Sequence, residues 1–198
     1  PPMHPREDAI ARTMIGLAGD LAVDRFVLYS VLHPLLADVP HHDRKLQAER
    51  ALVDSGLNYT ILQPSRYMQH LAVIWKTVLA TGVHSMPFAT TARFSLVDLA
   101  DLAEAAARVM TEPGHETATY QLAGRDALSQ DDCAGILTTV LRRPIRAVAK
   151  SIEDFRRDAV AAGMPGERIE TMTKMNAHYD SHGLVGNPNV LRWLLGRE

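Results

Sequence analysis

Ser30, His41 and Lys45 are the side chains whose types and positions in this sequence best fit a catalytic site. A lysine ammonium can hydrogen-bond sugar hydroxyls, and its charge lowers the pKa of a neighbouring acid. A histidine titrates near neutrality and can therefore donate a proton, and a serine hydroxyl can orient a substrate oxygen or a general acid. We therefore predict that Lys45, Ser30 and His41 form a candidate catalytic group.

Two short apolar runs and the helix between them would position these side chains. The patterns predict strands at residues 25–30 and 58–63 and a helix at 40–54. Strands joined through a helix are parallel and neighbouring, and the ligand crevice of an open parallel sheet lies at the carboxyl ends of its strands. Ser30 and Gln63 stand at those ends. The first strand has no polar alternation, so we expect it to be buried on both faces.

Each candidate residue also has an ordinary alternative. Helical spacing places His41, Lys45 and Leu52 along one face, which would hold Lys45 close to the strand ends. The alternative for Lys45 is an exposed side chain paired with Glu49, one turn later. The alternative for Ser30 is a strand-end serine that satisfies backbone groups, and that for His41 is a solvated loop histidine.

Composition narrows the class of protein. The 198 residues suit one domain, or one domain with a small lobe, and the net charge of −2 without a basic block argues against a nucleic-acid partner. No apolar run reaches the length of about 18 residues that would span a membrane. The single cysteine, Cys133, fits a cytoplasmic setting. The histidines lack the spacing of a metal-ligand set, so we predict no metal site.

The chain divides into two regions by pattern. Residues 1–82 continue a parallel α/β sheet, whereas residues 83–198 are richer in helices with short strands, which suits a substrate lobe. The first helix, capped by Asp8, leads directly into a strand, so we expect a sheet whose earlier strands lie outside this sequence. No G-x-G-x-x-G turn and no Tyr-x-x-x-Lys pair occurs. Residues 66–81 read as a helix, and residues 83–94 as a loop with an edge hairpin.

The segments RFVLYSVLHP and HHDRKLQAERALVDSGLNYTILQPSRYMQ together show a strand followed by serine, a helix bearing lysine and then glutamate, and a strand that ends in Gln-Pro. This combination resembles the NmrA-like family, a branch of the atypical short-chain dehydrogenases. The later segments FSLVDLADLAEAAARVM, YQLAGRDALSQDDCAGILTTVLRRPIRAV and NPNVLRWLLGR are similar to the family's sheet-returning helix, small lobe and C-terminal region. The similarity covers essentially the whole chain.

The resemblance implies an α/β fold with a Rossmann-like parallel sheet, incomplete because its N-terminal strands are missing, and a smaller α+β C-terminal lobe. It implies NADP or NAD as cofactor, with Lys45 near the nicotinamide ribose and Ser30 near the nicotinamide. The residues that would contact the cofactor are Pro2, Met3, Ser30, Lys45, Gln63, Pro64 and Tyr67.

Three functional hypotheses follow from the resemblance. The first is an NAD(P)H-dependent reductase of a small carbonyl or quinone-like substrate, in which the nicotinamide supplies the hydride and His41, Ser30 or a water supplies the proton. The second is a non-catalytic dinucleotide sensor that binds a protein partner, because the acidic tyrosine of ordinary short-chain dehydrogenases is absent. The third is that the chain alone is inactive, because half a sheet exposes an apolar edge.

Overall fold

Helices and strands alternate along most of the chain, the order that gives a parallel sheet covered by helices. The computed structural model describes residues 3–197, and Pro1, Pro2 and Glu198 lie outside that range. The elements are α1 (Glu7–Asp20), β1 (Phe26–Tyr29), α2 (Pro40–Val53), β2 (Tyr59–Pro64), β3 (Arg66–Tyr67), α3 (His70–Thr81), β4 (Val83–Met86), β5 (Phe94–Val97), α4 (Leu99–Thr111), β6 (Ala118–Leu122), β7 (Ala127–Leu128), α5 (Gln130–Leu141), β8 (Arg146–Ala149), α6 (Ile152–Ala161), α7 (Gly166–His182) and α8 (Asn189–Leu195).

The main sheet has the order β1-β2-β6 and is parallel throughout. Leu28 pairs with Ile61, and Gln63 pairs with Gln121. The predicted strand–helix–strand unit is therefore confirmed, with α2 as the crossover. Both edges of β2 are paired, and its Ile61 and Leu62 are 1% and 0% exposed. The carboxyl ends of β1 and β2 consequently lie side by side in the fold.

β1 is only half-buried, so the prediction of burial on both faces is wrong. Tyr29 is 38% exposed, and the other strand residues are intermediate. Among residues 3–197, β1 pairs with β2 alone, so it is an edge strand of the sheet described. An edge strand with intermediate burial lacks the covering that a central parallel strand has.

Two smaller sheets include segments that were predicted to be a helix and a loop. The segment 66–81 begins as β3, which pairs in parallel with β5, and only then becomes α3. β4 pairs in parallel with β8 and forms no edge hairpin. Both strands depend on partners far along the chain, so local periodicity could not reveal them. β7 completes the β3-β5-β7 sheet by antiparallel pairing.

α1 packs on α2 through a face that buries only some of the apolar residues of the helix. Ile15 and Ala18 are buried, whereas Leu17 and Leu21 are exposed. The prediction that Asp8 caps the helix is also wrong. The helix begins at Glu7, one residue before Asp8, so Arg6 occupies the N-cap position, where its side chain makes no hydrogen bond. The earlier start leaves the first helical residue, Glu7, on the buried side of the helix.

The core lies between the main sheet and the helices returning to it. Leu102, Ala105 and Val109 of α4 pack with Leu62 of β2, so the region after residue 82 also covers the main sheet. The capping box predicted at Ser129 is present at the start of α5. No helix within residues 3–197 combines the length and apolarity of a membrane span.

Candidate functional site

Lys45 is fixed at the carboxyl end of β1 by two acceptors. Its Nζ donates a hydrogen bond to the Tyr29 carbonyl oxygen at 2.8 Å and lies 2.8 Å from Oε1 of Glu7. The Lys45 side chain is only 14% exposed. The residue is therefore not the exposed lysine of the alternative interpretation, and its ion pair is with Glu7 of α1 rather than with Glu49.

Glu7 joins Lys45 and His41 in one buried group. The Glu7 side chain is 6% exposed, and its Oε2 lies 3.6 Å from His41 Nδ1. Burial alone would raise the pKa of Glu7, but the neighbouring His41 and Lys45 together outweigh it and lower that pKa to about 2. Glu7 is consequently an anion at neutral pH, and it forms an ion pair with Lys45.

Ser30, Glu49 and Gln63 form a second buried group beside the first. Gln63 Nε2 donates to both carboxylate oxygens of Glu49, at 2.9 and 3.0 Å. Burial raises the pKa of Glu49, against the opposing effects of the Ser30 hydroxyl, Gln63 and the charge of Lys45. Ser30 Oγ is buried and, among the described residues, has no hydrogen-bond partner within normal geometry. The group thus contains a carboxyl with a raised pKa, beside a hydroxyl that interacts with it but makes no hydrogen bond of normal geometry.

The structure brings four predicted site residues to one end of the main sheet. Ser30 and Gln63 follow β1 and end β2, and His41 and Lys45 reach the same place from α2. Gln63 is committed to Glu49, so its amide faces the interior. Their roles toward a cofactor stay predictions.

The remaining residues that were predicted to contact the cofactor lie at the border of this cluster or apart from it. Pro64 ends β2 and is buried. Tyr67 is in β3 and lines a separate hollow. Met3 lies in a turn with a left-handed backbone angle of 63°, shortly before Glu7. Pro2 lies outside the described residues.

Two acids that complete the site were not among the predicted residues. Glu49 follows Lys45 by one helical turn, and in the sequence that spacing indicated only a surface ion pair between the two side chains. Glu7 is distant in sequence from α2, so only the packing of α1 on α2 places it beside Lys45. The two adjacent acidic residues in the first turn of α1 gave no sign of this contact.

A mostly apolar hollow of about 410 Å³, counting its open mouth, adjoins the end of β2. Arg66 and Tyr67, directly beyond that strand, form part of its wall, and Phe88 and Phe94 form another part. Burial raises the pKa of Tyr67, so its hydroxyl stays protonated at neutral pH.

His42, which follows His41 on α2, makes hydrogen bonds within the core of the fold. His42 is fully buried, with Nδ1 donating to the His33 carbonyl oxygen at 2.9 Å and Nε2 accepting from the Tyr179 hydroxyl at 2.8 Å. Within residues 3–197, no three His, Cys, Asp or Glu side chains are arranged to hold a metal ion.

Comparisons with known proteins find relatives along most of the chain. The sequence is 26% identical over 197 residues to NAD(P)H azoreductase of Xenophilus azovorans, which covers 99% of this chain and 68% of that protein. It is 28% identical over 186 residues to quinone oxidoreductase 2 of Escherichia coli K12, which covers 93% of this chain and 64% of that protein. The chain therefore spans about two thirds of the length of these relatives.

Solved structures show the same fold. The NADPH complex of the NADPH-dependent quinone oxidoreductase of Escherichia coli superposes with a TM-score of 0.84 at 27% identity, over 94% of this chain and 66% of that one. The NADP complex of the negative transcriptional regulator NmrA superposes with a TM-score of 0.72 at 14% identity, over 96% of this chain and 65% of that one, which shows the fold alone. The α/β Rossmann-like architecture is thereby confirmed. Since the NmrA-like family matches residues 14–196, the chain belongs to the NmrA-like family.

Proposed function

We propose that this chain forms the nicotinamide side of an NAD(P)H-dependent reductase of small quinone-like substrates. The observation that carries the proposal is Lys45, held by Glu7 and the Tyr29 carbonyl at the strand end where Ser30 has a buried hydroxyl without a hydrogen bond of normal geometry. The relatives whose names specify quinone or azo reduction with NAD(P)H support the same reaction class.

The donors and acceptors at this end fit a nicotinamide ribose. A lysine ammonium has three N–H donors, and Tyr29 and Glu7 accept from two of them, which leaves one for a ribose hydroxyl. Ser30 Oγ is a further buried group that a ligand can satisfy. NADP or NAD, when bound, supplies a hydride from its reduced ring. Met3, Gln63, Pro64 and Tyr67 complete the expected border of that ring.

Quinone reduction also needs a proton. The buried group of Ser30, Glu49 and Gln63 would supply it. Conversion of a quinone to a hydroquinone consumes one hydride and one proton. Burial raises the pKa of Glu49, which favours proton uptake there, and the Ser30 hydroxyl beside it is the group that would pass a proton to the substrate. His41, which faces Glu7, is the alternative donor.

The organisation along the chain follows from the same proposal. Residues 1–82 would hold the reduced ring and its ribose, and residues 83–198 would shape the substrate side, including the wall of the hollow that Phe88 and Phe94 form. The single cysteine supports a cytoplasmic setting.

Reduction of quinones by the protein tests the proposal. We expect NADPH or NADH to be oxidised in proportion to hydroquinone formed when a panel of benzoquinones and naphthoquinones is supplied. Ser30→Ala should lower kcat by about tenfold or more, within the range of general acid catalysis. Cofactor binding without oxidation across the panel would contradict the reductase and favour the alternative, a non-catalytic dinucleotide sensor that acts on a protein partner.

A further inference from the structure

Arg66 is a cation enclosed by aromatic rings without an acidic partner. Its guanidinium carbon lies 5.0 Å from the ring centroids of both Phe88 and Phe94, and Nη2 contacts Met86 Sδ at 3.7 Å. Within the described chain, the ionisable groups coupled to it are the Tyr179 phenol, the Cys133 thiol and the imidazoles of His70 and His84, and no carboxylate is among them. Burial lowers the pKa of Arg66 to about 10, yet it stays charged at neutral pH.

Two further polar atoms in the same hollow lack partners. His84 and Gln130 are 4% and 3% exposed, and His84 Nδ1 and Gln130 Oε1 make no hydrogen bond with any described residue. The Gln130 amide is fixed in place because Nε2 donates to the Phe88 carbonyl oxygen at 2.7 Å. A buried polar atom without a partner costs about 1–3 kcal/mol, so each of these atoms favours a bound polar group.

One acid of α5 close to the hollow is engaged elsewhere. Asp132 lies between Gln130 and Cys133, which line the hollow, but its carboxylate accepts from Ser129 and lies 3.6 Å from Arg93. The rest of the wall is largely apolar, and these residues are Met68, Leu71, Ile74, Leu96 and Leu128. The hollow, which we call the Arg66 pocket, thus combines an apolar body with one unneutralised cation.

We propose that the Arg66 pocket binds the carboxylate of an aromatic, quinone-like substrate. Arg66 pairs with the carboxylate, His84 donates from Nδ1 to the same group, and Gln130 Oε1 accepts from a ring hydroxyl. The ring lies against Phe94 and the aliphatic wall. The proposal rests on the reductase function and names its substrate class, since the pocket begins directly beyond β2, whose end borders the predicted nicotinamide site.

Binding of a matched pair of ligands to the whole chain tests the pocket without any cofactor. We expect calorimetry to show that 3-phenylpropionate binds at least about tenfold more tightly than the isosteric, neutral 3-phenylpropionamide, as a charged hydrogen-bonded pair predicts. Arg66→Met should abolish that preference. Arg66→Lys should retain part of it, because lysine keeps the charge but lacks the planar fork. Arg50→Met, at an exposed position of α2, is the matched control and should leave both affinities unchanged.

Equal affinity of the wild-type chain for acid and amide, or no measurable binding of the acid, would overturn the pocket whatever the variants do. Unchanged preference in a folded Arg66→Met protein would overturn it as well.

A second arm separates this inference from the reductase function. We expect a benzoquinone propionate to be reduced with a higher kcat/KM than its propionamide, in a manner that needs Arg66. Reduction of both quinones at equal kcat/KM would keep the reductase and overturn the pocket. Binding of 3-phenylpropionate that depends on Arg66, without any NAD(P)H oxidation, would keep the pocket and overturn the reductase.

Discussion

Glu7 determines how Lys45 can act. Glu7 Oε1 lies 2.8 Å from the ammonium nitrogen, and the Tyr29 carbonyl oxygen lies at the same distance, so the direction of the Lys45 side chain is fixed. The same ion pair fastens α1 to α2 and to the end of β1, so it serves the site and the fold together.

Replacement of Glu7 tests this coupling. Glu7→Gln should lower the free energy of unfolding at pH 7 by about 2–4 kcal/mol, because it leaves the enclosed Lys45 without its counter-charge. The folded-state pKa is about 2, below the ordinary 4.5, so the stabilisation is present above pH 4.5 and is lost as the pH falls toward 2. Denaturant unfolding at pH 7 and pH 3 should show the difference shrinking. The exposed Glu167, which lies 3.8 Å from Arg44, is the control; an equal effect of Glu167→Gln would contradict the assignment.

His42 gives stability a second dependence on pH. Burial lowers its pKa from 6.5 to about 4 in the folded chain, so the unfolded chain binds more protons between these values. Stability is therefore full above pH 6.5 and is lost as the pH falls toward 4, by about 2 kcal/mol between pH 7 and pH 5. His42→Gln keeps a donor for the His33 carbonyl and an acceptor for Tyr179, and should remove this dependence. A pH profile of unfolding that is the same in His42→Gln as in the wild type would refute the role of His42, with the exposed His182→Gln as control.

At the scale of elements, the long helices and the strand–helix–strand unit could be predicted from the sequence. α2 begins at the predicted residue and ends one residue before the predicted end at 54. Strands β3 and β4 could not be predicted, because they are two and four residues long and their partners are far along the chain. Pairing between distant short strands leaves no periodic signal in either segment.

The same distinction explains the site. Ser30, Lys45 and Gln63 could be predicted to meet because strand ends of a parallel sheet share one edge. The position of Glu7 depends on the packing of α1, and that of Arg66 depends on β3, which was predicted as part of a helix, so neither could be predicted from local sequence.

Gly124 tests how closely the elements around the Arg66 pocket approach each other. A Cβ at Gly124, between β6 and β7, would lie 1.7 Å from the carbonyl oxygen of Leu96 in β5. Gly124→Ala must therefore separate these segments, and we expect a loss of about 2 kcal/mol or more in unfolding free energy. Gly135→Ala, where no atom lies within 4 Å on α5, should be neutral or stabilising by up to about 1 kcal/mol. Thermal unfolding of both variants checks the contrast, which would fail if the two alanines had similar effects.

At the scale of the molecule, the proposed function gives this chain one side of a dinucleotide site. It spans about two thirds of the length of its relatives and contains no glycine-rich phosphate-binding turn. Its described residues instead gather Ser30, Lys45 and Glu49 at the strand ends, with the Arg66 pocket adjoining. A ligand that carries only the nicotinamide ribose should therefore recognise this chain, whereas the adenosine half should not compete with it.

Titration with reduced nicotinamide mononucleotide, followed by its fluorescence, tests the central assignment most directly. We predict saturable binding that adenosine 2′,5′-bisphosphate does not displace. Lys45→Met should weaken binding at least about tenfold, because a charged donor to the ribose is lost. Lys150→Met, which removes a surface lysine paired with Asp158 at 2.8 Å, should have no effect. Absence of saturable binding to the wild-type chain, or equal affinity in a folded Lys45→Met protein, would contradict a nicotinamide site at the ends of β1 and β2.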